Sequence, residues 1–287
     1  MTKYNLSLDN PSPLLSYSPQ TQWISIASKN DSSLYENTAS ATSQVGAEVS
    51  FTFRGTGVWI YGTKGEAHGY YNVTLDNTTQ SFDGYSDTEE YQQVLFGANN
   101  LGLASHTVRI VNAGPLRGGD SNRVWLNIDW LTWETVFVGP GGPYGAEVFN
   151  ATFNETHRRF FYIPPDAWSQ RAYIDNVSIN GTASYTTSSD ASMQFVFDGD
   201  AVGLYGSLDG SFSANVDKGD FKSLTSTYNG SAYQQLLFYA ENLGGGTHTL
   251  SIENSPQSTS TAKSTLAVDF ARTWTARGGS SSNEPAK

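Results

Sequence analysis

Apolar and polar residues alternate along short stretches of the chain. Val49, Phe51 and Phe53 alternate with Ser50 and Thr52. A period of two indicates strands that bury one face and expose the other. Turn signals rich in Gly, Asn and Asp separate these stretches, as in RGTG, LDNTT and FDGYSD. Because long runs of helix-forming residues are absent, the pattern predicts an all-β protein of short strands.

The same pattern occurs twice along the chain. VSFTFRGTGVWIYG at 49–62 matches MQFVFDGDAVGLYG at 193–206, and YQQVLF at 91–96 matches YQQLLF at 233–238. Further on, NNLGLASHTVRIVN is followed in the same order by ENLGGGTHTLSIEN. Matches that keep their order and spacing predict a tandem duplication. The doubled glutamines are interpreted as part of a central strand of the shared scaffold, with one glutamine of each copy facing inward.

Each copy has the length of a domain, and its many short strands favour a jelly-roll β-sandwich. The predicted fold is therefore all-β with two tandem jelly-roll β-sandwich domains. The predicted boundaries are a first sandwich at 1–137, a Gly/Pro linker at 138–146, a second sandwich at 147–276 and a polar tail at 277–287. Both ends of the sequence resemble cuts in a longer precursor, so any membrane attachment is expected through a segment outside this chain.

Charge and cysteine content narrow the classes of ligand and cofactor. The net charge is −11, which disfavours nucleic-acid phosphates and anionic lipid and leaves a neutral ligand as the better fit. The chain has no cysteine, so disulfides and thiolate metal sites are excluded. No cofactor is predicted, and the oligomeric state is left open.

Sites for N-glycosylation are frequent. With 20 asparagines, chance would give roughly four Asn-x-Ser/Thr sequences, and the excess favours an extracellular glycoprotein. The nine sequons are at Asn5, Asn30, Asn72, Asn77, Asn150, Asn154, Asn176, Asn180 and Asn229.

A family resemblance rests on the order of several motifs. These are an early Tyr-Ser-Pro before a Trp, then FTFRGTGVWIYG, YYNVTLDN, YQQVLFGANNLG with HTVRIVN, and LNIDWLTWE. Over roughly residues 4–276 the chain resembles tandem β-sandwich ectodomains of basidiomycete secreted or membrane-anchored surface proteins. Their units are similar to galactose-binding-domain-like jelly rolls, the fold of many carbohydrate-binding modules. The resemblance implies a fungal, extracellular, carbohydrate-binding protein, although some relatives are expected to carry a cysteine pair that is missing here.

Residues shared by the two copies are expected to serve the fold. His106 and His248 both open a strand after a turn, so a structural role is predicted for them. Asp129 and Asp269 are also shared, and they are weak candidates for a structural calcium site. His68, by contrast, has no counterpart, and is expected in an exposed loop.

Residues found in one copy alone are better candidates for function. Trp59 aligns with Gly203 and Trp125 with Thr265, so the first copy has more tryptophan. By alternation, Trp125, Asn127 and Asp129 should point away from Leu126, Ile128 and Trp130. Flat aromatic rings stack on sugars, and amides bind their hydroxyls. The predicted ligand-binding residues are Trp59, Tyr70, Tyr71, Trp125 and Asn127.

The leading functional prediction is non-catalytic binding of a neutral oligo- or polysaccharide. One alternative is a glycan-active hydrolase, because two carboxylates facing one cleft could cleave a glycosidic bond. Its candidate residues are Glu66, Asp83, Glu89 and Glu90. The sequence lacks a Gly-x-Ser-x-Gly nucleophile elbow and a His-rich metal set. A second alternative is a structural or adhesive surface protein, which should self-associate.

Overall fold

A computed structural model describes residues 2–27, 32–115, 119–172, 178–226, 232–255 and 264–280. The prediction of an all-β fold is confirmed, because antiparallel strands dominate these ranges. The helical segments in them are single 3-10 turns at Gln20–Gln22, Tyr35–Asn37 and Pro165–Ala167. None of these turns has the length or apolarity needed to span a lipid bilayer.

The chain forms two compact units, and the described part of the first is Tyr4–Thr135. We refer to it as the N-terminal unit. Its strands are β1 Lys3–Asp9, β2 Ser16–Ser18, β3 Ile24–Ala27, β4 Thr38–Thr42, β5 Glu48–Gly55, β6 Gly57–Lys64, β7 Tyr70–Leu75, β8 Thr78–Asp83, β9 Glu90–Ala98, β10 Ala104–Gly114, β11 Leu126–Ile128 and β12 Trp130–Val136.

The N-terminal unit is a β-sandwich. One layer has the strand order β2-β5-β10-β7-β8, and the other contains β1-β12-β6-β9 with the short sheet β11-β4-β3. Phe51 of the first layer meets Trp133 of the second, with ring centroids 5.3 Å apart. Burial of these apolar rings, together with Ile60, Val108 and Ile110, supplies the main stabilising free energy of the unit.

The second unit comprises Val136–Ser226 and the later described residues, with Thr2 and Lys3. We refer to it as the C-terminal unit. Its strands are β13 Tyr144–Asn154, β14 Phe160–Ile163, β15 Ser169–Ala172, β16 Thr182–Thr186, β17 Ser192–Asp198, β18 Ala201–Asp209, β19 Ser211–Val216, β20 Lys222–Thr225, β21 Gln235–Glu241, β22 Thr247–Glu253 and β23 Thr265–Ser280.

The C-terminal unit is also a β-sandwich. One layer has the order β14-β17-β22-β19-β20, and the other β15-β16-β23-β18-β21 with β13 alongside β23. Phe195, Phe197 and Phe212 of the first layer share one buried cluster with Leu204 and Val268 of the second. This strand order repeats that of the N-terminal unit. Each N-terminal strand corresponds to the strand numbered twelve higher, except that the single strand β23 takes the place of both β11 and β12. The predicted domain boundaries stay predictions, although Val136–Val138 belong to the second compact unit.

The doubled glutamines do not lie in a central strand. Both β9 and β21 stand at the end of their sheet order. Gln92 and Gln234 each have a backbone φ of 53°, in the left-handed region that few non-glycine residues adopt. The ladder between β6 and β9 shifts register between Ile60 and Tyr61, so strict alternation does not hold through this strand. The motif therefore marks a bulged edge strand.

In the N-terminal unit, His106 of β10 links the β7–β8 turn to the connection between β9 and β10. His106 Nδ1 lies 2.8 Å from Asp76 Oδ2, and its Nε2 lies 2.7 Å from the Gly102 carbonyl oxygen. Asp76 also accepts the Thr107 N–H at 2.9 Å. Because both partners of the imidazole are acceptors, both ring nitrogens donate, and the ring is satisfied only as an imidazolium.

The equivalent histidine of the C-terminal unit makes the same two contacts, and we call this arrangement the histidine clasp. His248 contacts Asp217 at 2.5 Å and the Gly244 carbonyl at 3.0 Å. Burial lowers the pKa of each histidine, but the carboxylate and the carbonyl together raise it above 6.5. These contacts give both histidines a structural role, as the sequence comparison predicts.

Candidate functional site

Trp59 lies flat on the outer face of β6. Val58 and Ile60 on either side are buried, so Trp59 points away from the core and is half-buried. A Cβ on Gly57 would lie 2.8 Å from Trp59 Cη2, and one on Gly97 would lie 2.7 Å from Trp59 Cδ1. The two glycines thus contact opposite ends of one indole. Its lower face rests on backbone, and its upper face is directed away from the sheet.

A stack of three rings stands beside this indole. Tyr61 lies two residues along β6 and faces Trp130 of β12, with centroids 3.9 Å apart and planes within 7°. Tyr35 covers the other face of Trp130 at 4.9 Å. Since Tyr61 and Trp130 are cross-strand partners, parallel rings at this spacing must stand off the sheet. We call Trp59, Tyr61, Trp130 and Tyr35 the aromatic face.

Asp129 positions part of this face. Its Oδ1 accepts the Tyr35 N–H at 2.9 Å, and its own N–H donates to the Tyr61 carbonyl at 2.9 Å. It lies between β11 and β12 and is fully buried. Burial raises the pKa of Asp129 to about 7, opposed by the Tyr35 N–H. Its Oδ2 has no hydrogen-bond partner among the described residues.

The irregular position of Asp129 also reverses the alternation. Ile128 and Leu131 are buried, whereas Trp130 is half-exposed and pairs with Tyr61. The prediction that Trp130 points inward with Leu126 and Ile128 is therefore wrong, because the break between β11 and β12 changes the phase. Trp130 was missed for this reason, whereas Tyr35 and Tyr61 were missed because only the folded chain brings them to Trp130. Gly57 and Gly97, which contact Trp59, are far apart in the sequence and are brought together only by the pairing of β6 with β9.

Hydroxyl groups border the aromatic face. Thr132 is the cross-strand partner of Trp59, and its Oγ1 lies 3.5 Å from the hydroxyl of exposed Ser7 on β1. Val94 of β9 pairs with Tyr61 on the side opposite Trp130, and 50% of its surface is exposed. The surface therefore combines an open ring face with adjacent polar and apolar contacts, a composition suited to a sugar ring.

The equivalent face of the C-terminal unit differs. Tyr205 and Phe270 stack at 4.4 Å, as Tyr61 and Trp130 do, but Gly203 stands where the other unit has Trp59. Trp274 is 1% exposed and packs edge-on against Tyr239. No open indole lies on this sheet within the described residues.

Asn127 of β11 and Trp125 just before it lie outside the aromatic face, and the Asn127 carbonyl faces Gly62 of β6. Trp125 precedes Thr132, the partner of Trp59, by seven residues, which corresponds to roughly 20 Å along the strands. Trp125 instead bridges to His68. His68 is 6% exposed, so the prediction of an exposed loop histidine is wrong. Asn127 lies beside its ring, and burial lowers the pKa of His68.

Tyr70 belongs to a third group of residues. The Arg123 guanidinium lies 5.3 Å from the Tyr70 ring and 4.4 Å from the Tyr85 ring, and it forms an ion pair with Asp83. Its Nε donates to the His68 carbonyl at 3.1 Å. Tyr70 and Asp83 are thus engaged by one arginine that holds neighbouring loops together.

Tyr71 is a core residue, so it is not available as one of the predicted ligand-binding residues. It is 2% exposed, and its hydroxyl donates to the Leu95 carbonyl at 2.8 Å. Alternation explains the difference from Tyr70, because successive strand residues point to opposite sides. The predicted binding residues are therefore not one cluster, and of the five Trp59 alone belongs to the aromatic face.

Three of the carboxylates proposed for catalysis lie on adjacent loops, where the Gly65 N–H donates to the Gly84 carbonyl oxygen at 3.2 Å. Glu66, Glu89 and Glu90 are exposed, and Asp83 is paired with Arg123. Glu90 lies in β9 opposite Lys64, and its neighbour Glu89 precedes the strand. The loops that carry these side chains are therefore close together, but Asp83 is held by Arg123 and the three glutamates are solvent-exposed.

Asp129 and Asp269 are the weak candidates for a structural calcium site, and Glu155 lies near Asp269. No group of three His, Asp or Glu side chains in the described ranges could hold a metal ion. Asp269, like Asp129, is buried, and its carboxylate accepts the Ile179 N–H at 3.1 and 3.2 Å. Burial raises the pKa of Asp269 to about 6.

The described sequon asparagines are accessible. Asn5, Asn77, Asn150 and Asn180 are exposed, and Asn72 and Asn154 are half-exposed. Asn30, Asn176 and Asn229 lie outside the described residues.

The fold defines a protein of the β-sandwich class, and comparison with known proteins adds two relatives from Flavonifractor plautii. An A type blood alpha-D-galactosamine galactosaminidase is 26% identical over 227 residues, covering 78% of this chain and 19% of that protein. An A type blood N-acetyl-alpha-D-galactosamine deacetylase is 36% identical over 89 residues, covering 31% of this chain and 12% of that protein. The chain thus spans less than a fifth of either relative. No protein-family model matches it.

Among solved structures, a Paenibacillus xanthan lyase covers 87% of this chain and 24% of its own, at 13% identity and a TM-score of 0.31. A score this low carries no argument about function. Neither curated relative comes from a basidiomycete, so the fungal origin implied by the resemblance stays a prediction.

Proposed function

We propose that the N-terminal unit binds a neutral glycan on its aromatic face without modifying it. The observation that carries the proposal is the half-buried indole of Trp59, which rests on Gly57 and Gly97 on the outer face of β6. A sugar ring presents axial C–H groups that suit the negative π face of an indole. The exposed Ser7 hydroxyl lies beside this face and could bind a hydroxyl of such a ring, whereas Thr132 is buried beneath it.

The two relatives support a role in glycan recognition. Both are named for action on galactosamine-containing glycans, but one is a glycosidase and the other a deacetylase. A part common to enzymes with different reactions is better suited to holding the substrate than to transforming it. The small share of each relative that the chain covers favours the same interpretation, and we propose that this chain is such a binding part.

Binding can be tested on a glycan array that includes neutral polysaccharides and oligosaccharides ending in α-linked galactosamine derivatives. We expect Trp59→Ala to weaken binding by about tenfold or more, because a central aromatic anchor contributes about 2 kcal/mol. Trp125→Ala is the matched control, since Trp125 lies outside the aromatic face, and it should bind as the wild type does. Loss with Trp125→Ala alone would move the site to the His68 loops, and an array without any bound glycan would contradict the proposal.

A glycan-active enzyme is the second candidate, and the names of the relatives favour it. Incubation with the same glycans should then release new reducing ends or acetate. Glu66, Asp83, Glu89 and Glu90 would be changed singly to amides, and loss of product with one of them would identify the acid. The ion pair of Asp83 with Arg123 and the solvent exposure of the three glutamates support binding over catalysis.

We also propose an extracellular location, secreted or anchored at the cell surface. The accessible sequons support it, because an enzyme that attaches glycans needs an exposed asparagine.

A further inference from the structure

Arg272 is a half-buried cation on the outer side of β23 in the C-terminal unit. Its guanidinium carbon lies 5.8 Å from the ring centroids of both Tyr205 and Phe270. Its Nε donates to Thr152 Oγ1 on β13 at 3.2 Å. Two rings and one hydrogen bond therefore hold the planar group in a defined orientation.

The two terminal nitrogens of Arg272 have no acceptor among the described residues. Three other arginines are neutralised by carboxylates, in the ion pairs Arg109–Glu48, Arg123–Asp83 and Arg159–Asp198. In a chain with a net charge of −11, a partly desolvated guanidinium without such a partner is unusual, because removing a charge from water costs free energy. Neither terminal nitrogen is a buried atom without a partner, so both are open to solvent and available to a ligand.

The neighbours of Arg272 on this side of the sheet are uncharged. Asn150 and Asn154 flank Thr152 on the same side of β13. Tyr205 remains half-exposed and offers an apolar edge. The Glu241 carboxylate farther along the face accepts the Tyr239 hydroxyl at 2.8 Å.

We propose that Arg272 binds the carboxylate of an acidic sugar, such as a uronic acid residue. The two terminal N–H groups of a guanidinium match the two oxygens of a carboxylate in a parallel, bidentate pair. Because Nε already donates to Thr152, the edge formed by the two terminal nitrogens of Arg272 is the one that would bind the carboxylate. This site lies in the other unit from Trp59 and takes a different ligand class, and therefore goes beyond the neutral-glycan function proposed above.

The test uses the full chain produced in bacteria, so that Asn150 and Asn154 carry no glycan. Calorimetric titration would compare trigalacturonate with the same trisaccharide whose carboxyl groups have been reduced to alcohols. We expect the acidic form to bind at least about tenfold more tightly, since a charge-assisted hydrogen bond contributes about 1.5 kcal/mol or more. This comparison needs no variant and is unaffected by folding defects.

Variants then locate the site. Arg272→Gln should abolish the preference for the acidic form, and Arg272→Lys should keep part of it, because an ammonium retains the charge without the fork. Arg158→Gln removes the same charge from an exposed position of this unit and should behave as the wild type does. Trp59→Ala should leave trigalacturonate binding unchanged, so failure of the neutral-glycan proposal can be told apart from failure of this one.

Three outcomes would overturn the assignment. Equal affinity for the acidic and reduced trisaccharides would show that the carboxylate is not recognised. An equal loss with Arg158→Gln and Arg272→Gln would show diffuse attraction rather than a site. Tighter binding of a sulfated neutral trisaccharide than of trigalacturonate would assign Arg272 to sulfate esters.

Discussion

Gly97 is the position on which the orientation of Trp59 depends most directly. A Cβ added there would lie 2.7 Å from Cδ1 of the indole, closer than real contacts allow. The ring would have to rise from the sheet, and its open face would tilt. The orientation is therefore a property of two glycines and one tryptophan together.

We predict that Gly97→Ala weakens neutral-glycan binding by roughly twofold to tenfold, corresponding to about 0.5–1.5 kcal/mol of lost stacking. Gly102→Ala is the matched control, since its Cβ would meet nothing within 4 Å. Calorimetric titration with the best glycan of the array measures both. Unchanged affinity in Gly97→Ala would mean that the flat ring is not the contact surface.

Asp129 makes the stability of the N-terminal unit depend on pH. Its folded pKa, raised to about 7, lies above the ordinary value of 3.8, so the native state retains a proton that the unfolded state has lost. Stability therefore falls as pH rises from about 4 to about 7 and is level above that range. Asp269 acts in the same direction with a window that ends near 6.

We predict that Asp129→Asn flattens this decline and makes the protein more stable than the wild type at pH 8. The amide retains an oxygen to accept the Tyr35 N–H but carries no charge to bury. Urea unfolding at pH 5 and pH 8 would measure the difference. Exposed Asp220→Asn should have the same effect at both pH values, and an Asp129→Asn curve parallel to that of the wild type would contradict the prediction.

At the scale of the elements, the two histidine clasps also make stability depend on pH, but through a charged group that the fold stabilises. The raised pKa of His106 means that its contribution is fully present below pH 6.5 and is lost as pH rises through the folded pKa. The pKa of Asp76 is lowered chiefly by the His106 hydrogen bond, so its contribution is lost only as pH falls below 3.8. The clasp is strongest between these limits.

We predict that His106→Asn with His248→Asn destabilises the protein at pH 6 by roughly 0.5–1 kcal/mol for each hairpin, a low value because both aspartates are partly exposed to solvent. At pH 9 the difference from the wild type should be smaller, since the wild-type imidazoles are then neutral. Thermal unfolding at the two pH values would test this. A loss that does not depend on pH would indicate packing rather than ionic contact.

The strand break at Asp129 shows what periodicity could and could not predict. Alternation correctly predicted that Leu126 and Ile128 are buried, because both lie before the break. It failed for Trp130, because one irregular residue reverses the side on which every later residue lies. The alternation predicted for β9 also failed, because the irregular backbone near Gln92 shifts the register of that strand. Local composition marks a strand well, but its phase depends on pairing with neighbours.

In the whole molecule, the sequon excess and the exposed asparagines lead to one further prediction. Expression through a eukaryotic secretory pathway should add N-glycans at several of the six described sequons. Mass spectrometry before and after enzymatic deglycosylation would count them, with bacterially produced protein as the control. An unmodified mass would contradict the extracellular assignment.

The two units have the same strand order but different outer faces. In the N-terminal unit Trp59 forms an open aromatic floor, whereas in the C-terminal unit Gly203 takes its place and Arg272 lies over the stacked rings. Comparison of the copies identified Trp59 as exceptional but grouped it with Tyr71 and Trp125, which the fold separates. Divergence between copies finds candidate residues, yet it does not show which of them share a surface.

Amino-acid order alone was enough to predict the all-β class, the structural histidines and the unusual position of Trp59. These features depend on local alternation, turn residues and comparison of the two copies. The aromatic face and the unpaired fork of Arg272 became visible only in the folded chain. Their members come from different strands, and which side chains meet depends on strand register, on the bulges and on the two glycines beneath Trp59, all of which are set by long-range pairing.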